Sequence, residues 1–66
     1  MKISVNGEIK ELPEGISVRE MIECLSLPPR RMAIEVNKQV IRKQDWSELT
    51  IRDNDHVEIV HFVGGG

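Results

Sequence analysis

Apolar residues in this chain change their spacing twice, and that change most restricts what it can fold into. Near the start they alternate, with Ile3 and Val5 set among Lys2, Ser4 and Asn6. From Val18 to Leu25 they recur at i, i+3, i+4 and i+7, as Val18, Met21, Ile22 and Leu25. They alternate again at Met32, Ile34 and Val36, and once more at Val57 and Ile59, with His61 in the same register. Alternation puts every second side chain on one face of a strand, whereas the wider spacing makes one stripe along a helix. The order is therefore strands, one helix, then strands, an α+β layout.

Turn chemistry punctuates this pattern. Asn6-Gly7 follows the first strand and suits a type I′ hairpin, because both residues tolerate positive φ. A second strand then runs from about Glu8 to Leu12. A strict two-residue loop sets Val5 opposite Glu8 and Ile3 opposite Lys10, and turns Ile9 away from the core side. A longer loop or a bulge would re-aim Ile9, and the pattern leaves both open. Pro13-Glu14-Gly15 forms the next turn. Ser17 is an N-cap, and Glu20 three residues on completes a capping box; Ile16 and Met21 make a hydrophobic staple. The predicted helix spans about Val18 to Leu27, with Arg19, Glu20 and Glu23 facing water, and Pro28-Pro29 stops it. Asn37-Lys38 turns into a short fourth strand, Gln39 to Ile41. Trp46 to Leu49 is expected to form one helical or 3₁₀ turn capped by Asp45. Arg52-Asp53-Asn54-Asp55 is a turn in which Asn54 takes the left-handed conformation. The last strand carries apolar residues on both faces, Val57 and Ile59 on one and Val60 and Phe62 on the other, so it is expected at the centre of the sheet.

Several function classes drop out. No apolar run approaches the ~20 residues that cross a bilayer. The opening MKISVNGEIK has no apolar core of a secretory signal. One cysteine, Cys24, cannot form an internal disulfide, and with two histidines it makes no metal site at standard spacing. A lone thiol fits a reducing, cytoplasmic setting. Nine basic and eleven acidic residues give a net charge of -2, without the basic footprint of a nucleic-acid binder. At 66 residues the chain can hardly build both a core and a water-excluding pocket of ~300 Å³ or more. His56 and His61 lack a neighbouring nucleophile or paired carboxylate and read as surface or sheet residues. Cys24 reads as a semi-buried thiol beside Leu25. Arg30-Arg31 and Arg42-Lys43 read as solvated basic pairs. Trp46 and Phe62 are the large aromatic candidates for a core that is otherwise aliphatic.

A hairpin, a helix crossing one face and a return of strands, with the first and last strands adjacent, is the β-grasp arrangement of ubiquitin-like domains. The expected fold is a mixed sheet of four to five strands with one helix packed across one face. Residues 1–63 form the domain and residues 64–66 a flexible glycine tail.

That tail is where chemistry can sit. Gly64, Gly65 and Gly66 follow directly on the apolar strand end Phe62-Val63. Without Cβ atoms, glycines thread a slot that any side chain would block. Three extended residues reach about 10 Å, enough to put a terminal carboxyl into a partner's active site. That carboxylate is anionic at neutral pH and a poor electrophile. An ATP-using partner cures this by forming an acyl-adenylate, from which a sulfur nucleophile displaces AMP and leaves a thiocarboxylate.

The residues MKISVNGE, LPEG, Val36-Asn37, the Trp46 segment and above all the closing EIVHFVGG resemble the ThiS-type sulfur carriers of thiamine (thiazole) biosynthesis, along essentially the whole chain. The resemblance implies a ubiquitin-like β-grasp protein that is a cosubstrate rather than an enzyme. It implies that Gly66 bears the activated carboxyl, with Gly65 and Gly64 as the arm. A ThiF-type enzyme would adenylate it with ATP and Mg²⁺, a cysteine-derived persulfide would supply sulfur, and a ThiG-type thiazole synthase would accept it. The chain itself would bind no cofactor and no metal. Phe62 and Val63, where the arm leaves, are the expected docking surface. A small molybdopterin synthase subunit and a non-covalent ubiquitin-like adaptor are the competing readings. Asn54 stands where many relatives have glycine, a position that asparagine also tolerates.

Overall fold

The computed structural model describes residues 1–28 and 31–62. Five strands and one α-helix follow in the order β1 (Lys2–Val5), β2 (Glu8–Glu11), α1 (Val18–Cys24), β3 (Met32–Val36), β4 (Gln39–Ile41) and β5 (His56–His61), with a 3₁₀ turn at Lys43–Asp45 before β5. They form one sheet in the order β2-β1-β5-β3-β4. β1 and β5 are parallel, and the other neighbours antiparallel. This is the expected mixed sheet, with the last strand at its centre.

The first hairpin takes the strict register, with Val5 opposite Glu8 and Ile3 opposite Lys10. Asn6 and Gly7 have φ of 50° and 85°, a type I′ turn whose twist matches the strands. Ile9 consequently points away from the core and is 69% exposed. The β3–β4 hairpin turns the same way, at Asn37 (φ 51°) and Lys38 (φ 68°).

α1 lays Val18, Met21 and Ile22 on the inner faces of the strands, against Ile3, Val5, Ile34, Val36, Val57 and Ile59. Its start is fully satisfied. The Ser17 Oγ accepts from the Glu20 N–H at 3.1 Å, and the Glu20 carboxylate accepts from the Ser17 N–H at 2.9 Å. The remaining first-turn N–H groups, those of Val18 and Arg19, donate to the carbonyls of Leu49 and Trp46 at 2.9 and 3.0 Å. The segment around Trp46 thus finishes the helix that the capping box begins.

The helix ends at Cys24, three residues earlier than its apolar pattern and the two prolines suggest. The Leu27 N–H reaches the Ile22 carbonyl and the Ser26 N–H the Glu23 carbonyl, a Schellman ending with Ser26 at φ 56° in the glycine-like position. Leu27 therefore packs against the core as the closing apolar contact, not as a helical residue. Cys24 lies on the outer side of this last turn and is exposed, which corrects the semi-buried reading.

A 3₁₀ turn at Lys43–Asp45 starts three residues before the expected place, and the expected turn follows it directly, with the Glu48 and Leu49 N–H groups both donating to the Asp45 main-chain carbonyl, at 3.0 and 3.1 Å. The cause of the early start is Trp46. Its ring is 2% exposed, and its indole N–H donates back to the Ile41 carbonyl at 3.0 Å. The chain must double back within 42–45 to bring that nitrogen to β4. Phe62, the other aromatic candidate, stays out of the core at 58% exposed.

Two stability outcomes follow. Trp46→Ala removes a buried ring and orphans the Ile41 carbonyl, a loss of about 3–5 kcal/mol, comparable with what a core of this size supplies. Circular dichroism in urea should find this variant largely unfolded at 25 °C. Ile9→Lys should shift stability by less than about 0.5 kcal/mol in the same titration, whereas Ile3→Lys on the opposite face should abolish the folded baseline.

Candidate functional site

β5 carries the chain toward the predicted site and sorts its side chains by alternation. Val57 and Ile59 face the helix, while Glu58 and Val60 face the other way, followed by Phe62. Register extends that outer face across the sheet. Val60 stands opposite Ala33 and Glu58 opposite Glu35 on β3, Glu35 in turn opposite Val40 on β4, and Ile9 opposite Ser4 on β1. Helix α1 covers the other side, so this face keeps its apolar side chains exposed: Val60 at 50%, with Ile9, Val40 and Phe62 more so. The expectation of a central β5 holds, but its reason differs. The apolar residues on the second face do not form a second core.

Glu35 and Glu58, directly opposite each other on that face, place like charges side by side, an unfavourable cross-strand pair. At the end of β5 the Phe62 N–H donates to the Arg31 carbonyl at 2.6 Å. Pro28, Arg31, His61 and Phe62 line a surface hollow of about 390 Å³ there. Of the residues singled out from sequence, Phe62 is thus on the outer face at the strand end. Val63, Gly64, Gly65 and Gly66 lie outside the described residues, as does Arg30.

His56 and His61 are exposed on the sheet. Among the described residues no cluster of His, Cys, Asp or Glu could hold a metal ion, and no helix is long and apolar enough to cross a membrane.

Two residues that pattern reading treats only as turn formers do more. The Asn6 side chain accepts from the Ile59 N–H at 2.7 Å and donates to the Ile59 carbonyl at 3.1 Å. The Asn37 Oδ1 accepts from the His56 N–H at 3.0 Å, and its Nδ2 donates to the Asp55 carboxylate at 3.0 Å. Both turns therefore grip the central strand from its two sides. Their sequence signal, an asparagine in a hairpin loop, says nothing of a partner 53 or 19 residues away.

Comparison with known proteins agrees with this geometry. The model of the ThiS family matches residues 3–66. The sulfur carrier protein ThiS of Bacillus subtilis is 32% identical over 97% of this chain and 98% of its own length. A thiazole synthase of Magnetococcus marinus is 33% identical over all of this chain. The chain spans only 20% of the length of that protein and of a second thiazole synthase, from Paramagnetospirillum magneticum. Among solved structures, the thiamine biosynthesis protein (ThiS) of Geobacter metallireducens superposes with a TM-score of 0.87 at 29% identity, covering 100% of both chains. With the family model matched from residue 3 to residue 66 and the same five-stranded sheet under one helix, the chain belongs to the ThiS family and has its ubiquitin-like β-grasp fold.

Proposed function

We propose that this chain is a sulfur carrier of thiamine biosynthesis and that its reactive group is the carboxyl of Gly66. The observation that carries this reading is the family match running through the glycines to residue 66. A ThiF-type enzyme uses ATP and Mg²⁺ to join the carboxylate to AMP, releasing pyrophosphate. The adenylate is a good leaving group where the carboxylate oxygen is not. The terminal sulfur of a cysteine-derived persulfide then attacks the carbonyl carbon and AMP departs, leaving an acyl disulfide. A second thiol attacks the donor's sulfur, is itself oxidised to a disulfide with it, and releases the thiocarboxylate. A ThiG-type thiazole synthase takes that sulfur. The two thiazole synthases that contain a segment like this chain support a synthase as partner. The chain is a cytoplasmic cosubstrate rather than a catalyst, and it holds no cofactor of its own.

Phe62 and Val63 dock the activating enzyme. Phe62 has the exposure for it, and the neighbouring Val60 extends the apolar patch. The Glu35–Glu58 pair on the same face gives a cationic group of the partner a place to relieve like-charge repulsion.

Intact-mass spectrometry after incubation with a ThiF-type enzyme, ATP and a desulfurase sulfur source tests the chemistry. The thiocarboxylate adds about 16 Da, whereas a persulfide on the exposed Cys24 would add about 32 Da. The smaller gain should persist in Cys24→Ser and disappear when Gly66 is deleted. An unchanged mass with a competent enzyme defeats the carrier reading. Rescue of a thiamine auxotroph, without rescue of a molybdopterin-synthase mutant, assigns the pathway.

Phe62→Asp tests docking. It should raise the KM of the activating enzyme for this chain by about tenfold or more. Because the ring is exposed, folding stability should move by less than about 0.5 kcal/mol. A KM equal to that of the unmodified chain would show that docking lies elsewhere.

A further inference from the structure

The central strand β5 has two main-chain edges, and they are not equally served. On one edge β3 runs beside it from the pair Val36–Val57 to the pair Met32–His61. On the other edge β1 offers two pairs, Ser4–His56 and Val5–Val57. There the chain turns away at Asn6 and Gly7. A four-residue strand cannot cover a six-residue one, so the N–H and C=O of Ile59 lie beyond the end of β1.

One side chain takes both. The Asn6 Oδ1 accepts from the Ile59 N–H at 2.7 Å, and the Asn6 Nδ2 donates to the Ile59 carbonyl at 3.1 Å. The Asn6 main-chain N–H donates to the Val57 carbonyl at 2.9 Å. A carboxamide carries the same donor and acceptor as a peptide group, so Asn6 adds one more rung to the ladder after its backbone has left the sheet. The φ of 50° at Asn6 makes this possible, since the left-handed turn swings the backbone away while the side chain stays level with β5.

Ile59 precedes Phe62 by three residues. Beyond Val57, the Asn6 carboxamide is therefore what ties the β1 side of β5 down. Without it, the last part of β5 is held through its β3 edge, ending at the Phe62–Arg31 hydrogen bond. We infer that Asn6 is a positioning residue for the sulfur-carrying end: its side chain sets the direction in which β5 delivers the glycine arm to a docked enzyme. This deepens the carrier reading and rests on it. A body docked through the sheet face and an arm that must place one carboxyl at an adenylation site share β5 as their only covalent link. Small errors in the aim of such a link fall on the reactive-complex geometry rather than on docking.

Asn6→Gly separates the clamp from the turn, because glycine accepts the same positive φ and removes only the carboxamide. Asn6→Asp keeps the acceptor for the Ile59 N–H but sets a carboxylate oxygen against the Ile59 carbonyl. Two readouts on the full chain decide. In amide hydrogen exchange, Ile59 should lose about tenfold or more of its protection in Asn6→Gly, the equivalent of one lost hydrogen bond. The Ile51 amide, which donates to the Ile16 carbonyl, should change only as far as global stability does. In adenylation assayed with a ThiF-type enzyme, kcat should fall about tenfold with KM within a factor of two, and Asn6→Asp should lie between. Unchanged Ile59 protection overturns the clamp. A fall in rate that merely tracks the folded fraction, or that appears in KM alone, overturns the positioning role. An unmodified chain that the enzyme cannot adenylate at all defeats the carrier reading and the positioning role with it, while Ile59 exchange still judges the clamp.

Discussion

The structure depends on satisfying the main chain of one strand. β5 sits between β1 and β3, and a buried peptide group without a partner costs more than most side-chain contacts return. Its two neighbours are short, and both end in left-handed turns led by asparagine. The solution on each side is the same. The backbone bonds for as long as the neighbour lasts, and then the asparagine side chain continues, Asn6 onto Ile59 and Asn37 onto His56. The sheet is thereby closed around β5 by side chains whose loops already need them for their turn geometry.

A similar economy holds the helix. α1 has only seven residues, too few to be stable alone. Its first turn is completed partly by its own capping box and partly by carbonyls of Leu49 and Trp46. Trp46 in turn is fastened to β4 through Ile41. Helix, core ring and edge strand therefore form one cooperative unit on the inner side of the sheet. Among the described residues the outer side has no layer of its own, and Val60 and Phe62 stand exposed on the strand that leads to the glycines. For the carrier role proposed above this division of labour is useful, because the covered face supplies stability and the uncovered face is open to contact.

Much of this was legible from residue order. Asn6-Gly7 announced the first turn, and of the two registers considered the strict one is realised because a type I′ loop leaves no residue over. The Ser17–Glu20 capping box and the Val18, Met21, Ile22 stripe stand as read. The misses share a cause. The early end of α1 depends on Ser26 adopting a conformation normally left to glycine, which local propensity disfavours and which the Leu27 contact with the core repays. The additional 3₁₀ turn ahead of Trp46 depends on where the Trp46 nitrogen finds a carbonyl. Cys24 was placed by adjacency to Leu25, although one residue along a helix is a rotation of about 100°.

By itself, then, the sequence determined the order of elements, the two asparagine-led turns, the inward faces of β1 and β3 and the family to which the closing residues point. Those are properties of spacing and of local backbone preference, which neighbours in the chain decide. Only the tertiary structure decided that the outer face of β5 is bare and that Asn6 reaches Ile59. Burial depends on which elements cover a face. A hydrogen bond across 53 residues exists only once the sheet has brought its ends together.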